Sequence, residues 1–586
     1  LPEYMLPGYY VHLEAFPLTP SAKVDHKALP EPEFKGNDEY VAPETKEEKL
    51  LCEIWSKVLG IEKIGITDNF FSIGGDSIKS IQVSSKMRIE GYNVSVRDIF
   101  TYKTIEALAP NLEEIKTIAN QSLVTGEVPL TGIQQWFFSS SMRSKHHFNQ
   151  SVMLNFPERV TEEQIRRIFT HIHTHHDALR MTYRWDEGKV IQQNHDLSYP
   201  LSLVVNDLRG NPASKEELLK LCNELQASID LEMGPLMKLG LFDMQDGTRL
   251  LIVIHHLVID GISWRILFDD VEMLYAQEKS GEELQLPLKT DSFQLWSSKL
   301  LDYRSSKSYQ EAIEYWNKIL DKEQVIFKKN YSEDQNTTHD TSRAGFRLSK
   351  STTDKLLGEV HEAFNTQIND ILLAGLLMSV NKYFGSGALQ IHLEGHGREQ
   401  IIEDIDIGRT IGWFTSLYPV VLEESGEELS ELIKSVKESL RNIPNNGIDY
   451  LIGRYLFSDI KPVNNSQVIF NYLGQFDSDT MERAFEIASE PTGDAIMRGD
   501  YREYELEFVG MVSEGRLGMN VTYNIKQYNE EVVNALMSLY QESLVELVDY
   551  CVNREAQELT PSDFSYKGLT LGQLDELKNK LMNDEY

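Results

Sequence analysis

Cysteine is scarce in this sequence. The 586 residues hold three, Cys52, Cys222 and Cys551, far apart and with no C-x-x-C. That excludes a disulfide framework and a cysteine-rich zinc site, and it suits a reducing cytoplasm, the expected location. Basic residues are also in short supply. Lys and Arg number 57 against 91 Asp and Glu, a net charge of −34. Such a surface repels phosphate backbones and anionic lipid, so neither nucleic acid nor a membrane surface is expected as a partner. No apolar run approaches the ~20 residues that a membrane helix needs. The chain begins at Leu1, with neither an initiator Met nor a signal-like segment, which reads as a piece of something longer. What is present is core material. Hydrophobic residues make up 41%, enough to exclude wholesale disorder. At roughly 150 residues per domain, the length predicts about four folding units.

The first thirty-odd residues read as the end of a domain, and Leu29-Pro-Glu-Pro-Glu-Phe-Lys-Gly36 has a linker's composition. A small helical unit follows. Thr45 and Glu48 have capping-box spacing, Leu50, Leu51, Ile54 and Val58 mark one helical face, and Gly60 is a stop. A second helix is predicted from Ser77 to Glu90 and a third around Thr104–Ala109. Residues 121–128 read as another linker. Beyond it, α and β signals alternate: Leu250–Ile254 is a strand buried on both faces, Ile262–Ala276 a helix, and Gln390–Glu394 another strand. This block, 129–555, is too long for one ordinary core and is expected to form two α/β lobes.

Three places carry chemistry. In Asp68-Asn-Phe-Phe-Ser-Ile-Gly-Gly-Asp-Ser-Ile78, two glycines allow a sharp turn before a helix, and Ser77 falls at its N-terminus, where free N–H groups favour an anion. Spacing alone also allows Asp76 or Ser77 to be an ordinary N-cap. In His255-His-Leu-Val-Ile-Asp-Gly261, histidines follow a buried strand, and Asp260 can cap the next helix or pair with an Arg. Two core histidines and a structural cap fit that pattern as well. In Glu394-Gly-His-Gly-Arg-Glu399, a carboxylate ends a strand beside two glycines, where partial desolvation would raise its pKa towards a useful base. A solvated Glu at a glycine-rich turn reads the same.

The stretch around Ser77 resembles the peptidyl carrier (thiolation) domains of nonribosomal peptide synthetases, whose GGxS serine carries 4′-phosphopantetheine. Ser77 matches that serine, and the Asp76 of GGDS is common in carriers that feed epimerization domains. Leu18-Thr-Pro-Ser-Ala-Lys-Val-Asp25 resembles the last motif of adenylation domains, with Lys23 at its lysine and Ser21-Ala22 in place of the usual Asn-Gly. With the rest of that domain absent, the chain is expected not to activate an amino acid. The large block resembles the epimerization domains of the same synthetases, members of the condensation superfamily with two chloramphenicol-acetyltransferase-like lobes. The resemblance runs in order through Pro129–Phe137, His255–Trp264, Asn369–Ala374, Glu394–Glu399, Arg409–Ser416, Pro444–Gly447 and Phe470–Phe476.

The resemblance implies a multidomain chain: an adenylation remnant and linker (1–36), an all-α carrier bundle (43–115), a two-lobed α/β epimerization domain (125–555, split near 300–345) and a C-terminal donor communication segment (560–586). The implied reaction is L-to-D inversion at the α-carbon of an aminoacyl or peptidyl thioester on the carrier arm. Glu394 and His256 form the implied acid–base pair. Asn471 and Tyr472 orient the thioester or stabilise the enolate, and Asp260 is structural. The implied partners are the tethered thioester, an upstream adenylation domain and a downstream condensation domain reached through the terminal segment. The alternatives are a condensation domain forming peptide bonds, since HHxxxDG is shared, and a non-catalytic docking module.

Two features read as decoys. His171, His173, His175 and His176 look like a metal cluster, but Ile165, Ile168, Phe169, Ile172 and Leu179 form an apolar stripe expected on the same helix. His146-His147 has no following Asp-Gly. At the end of the chain, Thr570 and Gln573 have capping-box spacing ahead of Leu571, Leu574, Leu577 and Leu581, predicting a short acidic helix.

Overall fold

The computed structural model describes residues 40–115, 119–211, 213–320, 329–331, 336–385, 387–424, 426, 428–461, 466–475, 485–554, 556–564, 570–574 and 576. The readings placed on 1–36, Lys23 among them, and those on Leu577 and Leu581 lie outside these residues.

The N-terminal helical unit folds around its own core. Helix α1 (Lys46–Leu59) starts at the Thr45/Glu48 capping box and stops at Gly60, whose φ is 71°. Its Leu51, Ile54, Trp55 and Val58 pack with Phe70, Val83, Met87, Ile99 and Ile105. Helix α2 (Ser77–Ile89) is capped by Asp76, whose Oδ1 accepts from the Lys79 N–H at 2.8 Å. The sequence reading missed α3 (Val96–Tyr102), a short helix closed by its own Ser95/Asp98 capping box. It placed one helix at 104–109, where α4 (Ile105–Leu108) follows Thr104 and passes into a single 3₁₀ turn. The bundle is not purely helical. Gly91 turns the chain at φ 88°, and β1 (Tyr92–Asn93) then pairs with β2 (Glu113–Glu114).

The large block contains β3 (Gly126–Val128), β4 (Asn149–Phe156), β5 (Met181–Asp186), β6 (Lys189–Asn194), β7 (Ser202–Asp207), β8 (Met237–Met244) and β9 (Gly247–His255). It continues with β10 (Thr341–Arg347), β11 (Ala388–Gly395), β12 (Ser416–Glu423), β13 (Val468–Gln475), β14 (Glu486–Ile487), β15 (Leu506–Ser513) and β16 (Arg516–Asn524). One sheet has the order β14-β4-β9-β8-β7, a second β10-β16-β15-β13-β11-β12, and a third β3-β6-β5. Strand β9 is buried along its whole length between antiparallel β4 and β8, which is why Leu250–Ile254 is apolar at every position. Strand β11 runs antiparallel to β12 and parallel to β13. One apolar core runs continuously through the block, and β14, from the C-terminal half, pairs with β4 of the N-terminal half.

Two expectations need correction. The stretch 121–128 is not all linker, because Gly126–Val128 pairs with β6. Leu179 is not on the histidine-bearing helix, which ends at His175; Leu179 lies in the 3₁₀ turn Asp177–Arg180. The helix still buries Ile165, Ile168, Phe169 and Ile172, and His176 is held by Asp270 at 2.6 Å. Thr570 and Gln573 form their capping box. Among the described residues, no helix is long and apolar enough to cross a membrane.

Candidate active site

The two histidines at the end of β9 have different surroundings. His255 is wholly buried; its Nε2 meets the Lys145 carbonyl at 2.8 Å and its Nδ1 accepts from the Leu257 N–H at 3.2 Å. Burial pushes its pKa down to about 3. His256 follows in a short 3₁₀ turn and lines a cleft. Its ring packs against both Phe148, stacked at 5.2 Å, and Trp413, at 4.4 Å. Its Nδ1 is 2.8 Å from the Ile259 carbonyl and its Nε2 is 2.9 Å from the Gln150 amide nitrogen. Burial lowers its pKa below the ordinary value.

Asp260 has no freedom. Its Oδ1 caps the helix Gly261–Ser280 by accepting from the Ser263 N–H at 2.7 Å, and its Oδ2 accepts from the Phe414 N–H at 3.0 Å. Arg398 Nη2 donates to it at 3.2 Å. Arg398 also donates to the carbonyls of Ile407 (2.9 Å) and Thr410 (2.8 Å) and lies over the Phe414 ring. Both charges are buried and compensated, so the pair ties the loop after β11 to the helix after β9.

Glu394 stands near the end of β11. The parallel register pairs His392 with Ile469 and Leu393 with Phe470, which brings Asn471 of β13 alongside Glu394. Asn471 Nδ2 donates to its Oε2. The carboxylate is open to the cleft, yet it sits deep among protein atoms. That burial, reinforced by the nearby charge of Glu507, raises its pKa to about 7, against the opposing pull of Asn471. Among the described residues no cation pairs with it. Tyr472, the next residue on β13, also lines the cleft, and its hydroxyl is pushed well up, first by burial and then by the negative charge of Asp76.

That last interaction crosses from the N-terminal helical unit to the large block, and others accompany it. Lys79 Nζ donates to Gln475 Oε1 at 2.9 Å, Arg409 Nη1 donates to Ser85 Oγ at 3.1 Å, Lys86 lies 3.6 Å from Asp269, and Arg88 pairs with Asp406. Ile81 joins the apolar core of the block. Helix α2 therefore docks beside the cleft, with the charge of Asp76, next to Ser77, felt at the Tyr472 hydroxyl. The cleft has a volume of about 2860 Å³ and is lined by His256, Asp260, Glu394, Asn471 and Tyr472 together with Ser84, Ser85 and Arg88 of the helical unit.

The Ser77 end of α2 fits a phosphodiester. Asp76 is the cap, so Ser77 is the first helical residue, where backbone N–H groups face outwards. Gly74 turns at φ 94° with open space beside it, and a Cβ on Gly75 would lie 2.3 Å from the Phe70 ring. Residues 124–570 match the condensation-domain family model, and residues 49–110 match the phosphopantetheine attachment site model.

The chain belongs to the condensation-domain family. In it a carrier domain, the site of covalent phosphopantetheine attachment, precedes the condensation-family domain, the organisation of nonribosomal peptide synthetases. The chain is 41% identical to gramicidin S synthase 1 from Brevibacillus brevis over 98% of its own length and 54% of that protein. It is also 41% identical to surfactin synthase subunit 1 from Bacillus subtilis, over 98% of its own length and 16% of that protein. It thus spans about half of one relative and a small part of the other. Among solved structures, the epimerization domain from the third module of tyrocidine synthetase B aligns with a TM-score of 0.70 and 37% identity, covering 75% of this chain and 100% of that one. SgcC5 from Streptomyces globisporus, at 15% identity and a TM-score of 0.57, shares the fold.

Sequence reasoning did not single out Gln150, Trp264, Trp413 or Arg398 as site residues. The last three stood inside quoted motifs. Gln150 carries no motif, and only the pairing of β4 with β9, which sets it opposite Ile254, brings it to His256.

Proposed function

We propose that this chain inverts the α-carbon of an aminoacyl or peptidyl thioester held on its own carrier. The observation that carries the reading is the pairing, in one cleft, of a carboxylate raised to about 7 with a histidine lowered below its ordinary value. Two groups whose environments move them in opposite directions are suited to act as acid and base. Phosphopantetheine on Ser77 supplies the thioester, which acidifies the α-hydrogen, and the reach from α2 into the cleft. His256 and Glu394 then take and return the α-proton on opposite faces. Asn471 orients Glu394, and Tyr472 holds the thioester oxygen where negative charge develops. Asp260 and Arg398 keep the two loops in place. The 37% identity to an epimerization domain supports this reading over peptide-bond formation.

The proposal includes the partition into carrier (43–115), a two-lobed epimerization domain (125–555) and a terminal segment (560–586) that delivers the product to a downstream synthetase, with an adenylation domain upstream. One assay tests it. The holo carrier is loaded with an L-aminoacyl group, the thioester is released, and the product is resolved by chiral chromatography. A mixture of D and L is expected. Amide formation with an added acceptor would make the chain a condensation catalyst, and neither product would make it a docking module.

A further inference from the structure

We propose that Gln150 and Trp264 form a hydrogen-bond clamp that holds the resting His256 in its neutral tautomer, with the proton on Nδ1 and the lone pair on Nε2. This rests on the reading of His256 as a proton-transfer group.

The assignment follows from donors and acceptors that have no choice. An indole N–H can only donate. Trp264 Nε1 is 2.7 Å from the Gln150 side-chain oxygen, so that atom is the acceptor and the amide orientation is set. The other end of the amide is then NH₂, which can only donate, and it is 2.9 Å from His256 Nε2. Nε2 must therefore carry a lone pair. The far side of the ring gives the same answer independently. Nδ1 is 2.8 Å from the Ile259 carbonyl oxygen, which can only accept, so Nδ1 carries the hydrogen.

An imidazolium would break this arrangement. Its Nε2–H would meet the hydrogens of the Gln150 amide. Relief requires the amide to turn over, which presents NH₂ to the Trp264 N–H and leaves a buried indole without its acceptor. The clamp thus disfavours the charged form and drives His256 to give its proton back. The charged and titratable neighbours do not reverse this. His255, on the same segment, is itself held neutral by burial. Asp260, the cap of the following helix, shares its charge with Arg398 and still pulls the His256 pKa upwards, but burial outweighs it and the net shift is downward; Glu394 faces the same cleft. The clamp joins β4 to the helix Gly261–Ser280 and uses neither Asp260 nor Arg398.

The test is made on the full holo chain, with ¹⁵N-labelled histidine and the His256 signal assigned by its loss in His256→Gln. The unmodified chain is expected to give a pyridine-like Nε2 and a pyrrole-like Nδ1. In Gln150→Glu a carboxylate accepts from both Trp264 and an Nε2–H, so the His256 titration midpoint is expected to rise by ~1–3 pH units. The acid limb of α-proton exchange should move with it. Trp264→Phe, which frees the amide to turn, should shift the same midpoint upwards by less, and it serves as the readout should Gln150→Glu not fold. A protonated Nε2 in the unmodified chain, or a midpoint that stays put in the variant read, would overturn the clamp. Retained α-proton exchange in His256→Ala would instead remove His256 as a proton-transfer group while leaving the tautomer result standing.

Discussion

Asp260 and Glu394 are both motif carboxylates beside the same cleft, yet they are prepared for different work. Asp260 accepts from two backbone N–H groups and from Arg398, so its charge is matched and it behaves as a strut. Glu394 has Asn471 and the nearby charge of Glu507, and its carboxyl is raised to about 7. Burial acts on both. A cation converts burial into rigidity, and the lack of one converts it into a group that titrates near neutral pH.

The largest expected effect is on chemistry. Glu394→Gln keeps the shape and the contact with Asn471 but cannot carry the proton. Wash-in of deuterium at the α-carbon should fall by ~10²–10⁴-fold, with phosphopantetheinylation of Ser77 unchanged. Wild-type exchange would erase the contrast between the two carboxylates. Asp260→Ala should act chiefly on stability, because it leaves Arg398 as a buried unpaired charge. A loss of ~3–5 kcal/mol is expected in denaturant unfolding, a penalty that Glu394→Gln should not share. A milder effect is expected at the carrier contact. Gln475→Leu removes one acceptor of Lys79, whose Nζ also donates to the Gly74 carbonyl; the lost charge-assisted bond is worth ~1.5–3 kcal/mol, and exchange in cis should slow by about tenfold at unchanged unfolding stability. The smallest is a pH effect. The Glu394 pKa rises from 4.5 to about 7 on folding, so the folded chain keeps a proton that the unfolded chain has lost. That contribution is fully present below pH 4.5 and is lost as pH rises through about 7. Relative to Glu394→Gln, the unmodified chain should lose stability across that window in matched denaturant titrations; a flat difference would place Glu394 with ordinary surface carboxylates.

Much of the local structure was legible in the sequence because its causes are local. Capping boxes and glycine turns act within one turn, so α1 and the Thr570/Gln573 cap were placed by side chains three residues apart, and the start of α2 by the glycines before Ser77 and a cap at Asp76. The apolar run of β9 announced a strand buried on both faces. Where the cue was weaker, the reading failed. Helix α3 is one short run after Ser95, and β3 needed its partner β6 to be recognised.

The sequence by itself picked out the residues for which chemistry is proposed: Ser77 ahead of a helix, a histidine after a buried strand, and a carboxylate before two glycines. Their types and spacing are properties of the chain. The tertiary structure decided what surrounds each one. The parallel register of β11 with β13 put Asn471 beside Glu394, Arg398 crossed from one loop to neutralise Asp260, and β4 delivered Gln150 to His256. The physical reason is that a protonation state depends on burial and on the charges and donors around a group, and those neighbours come from segments that only folding brings together.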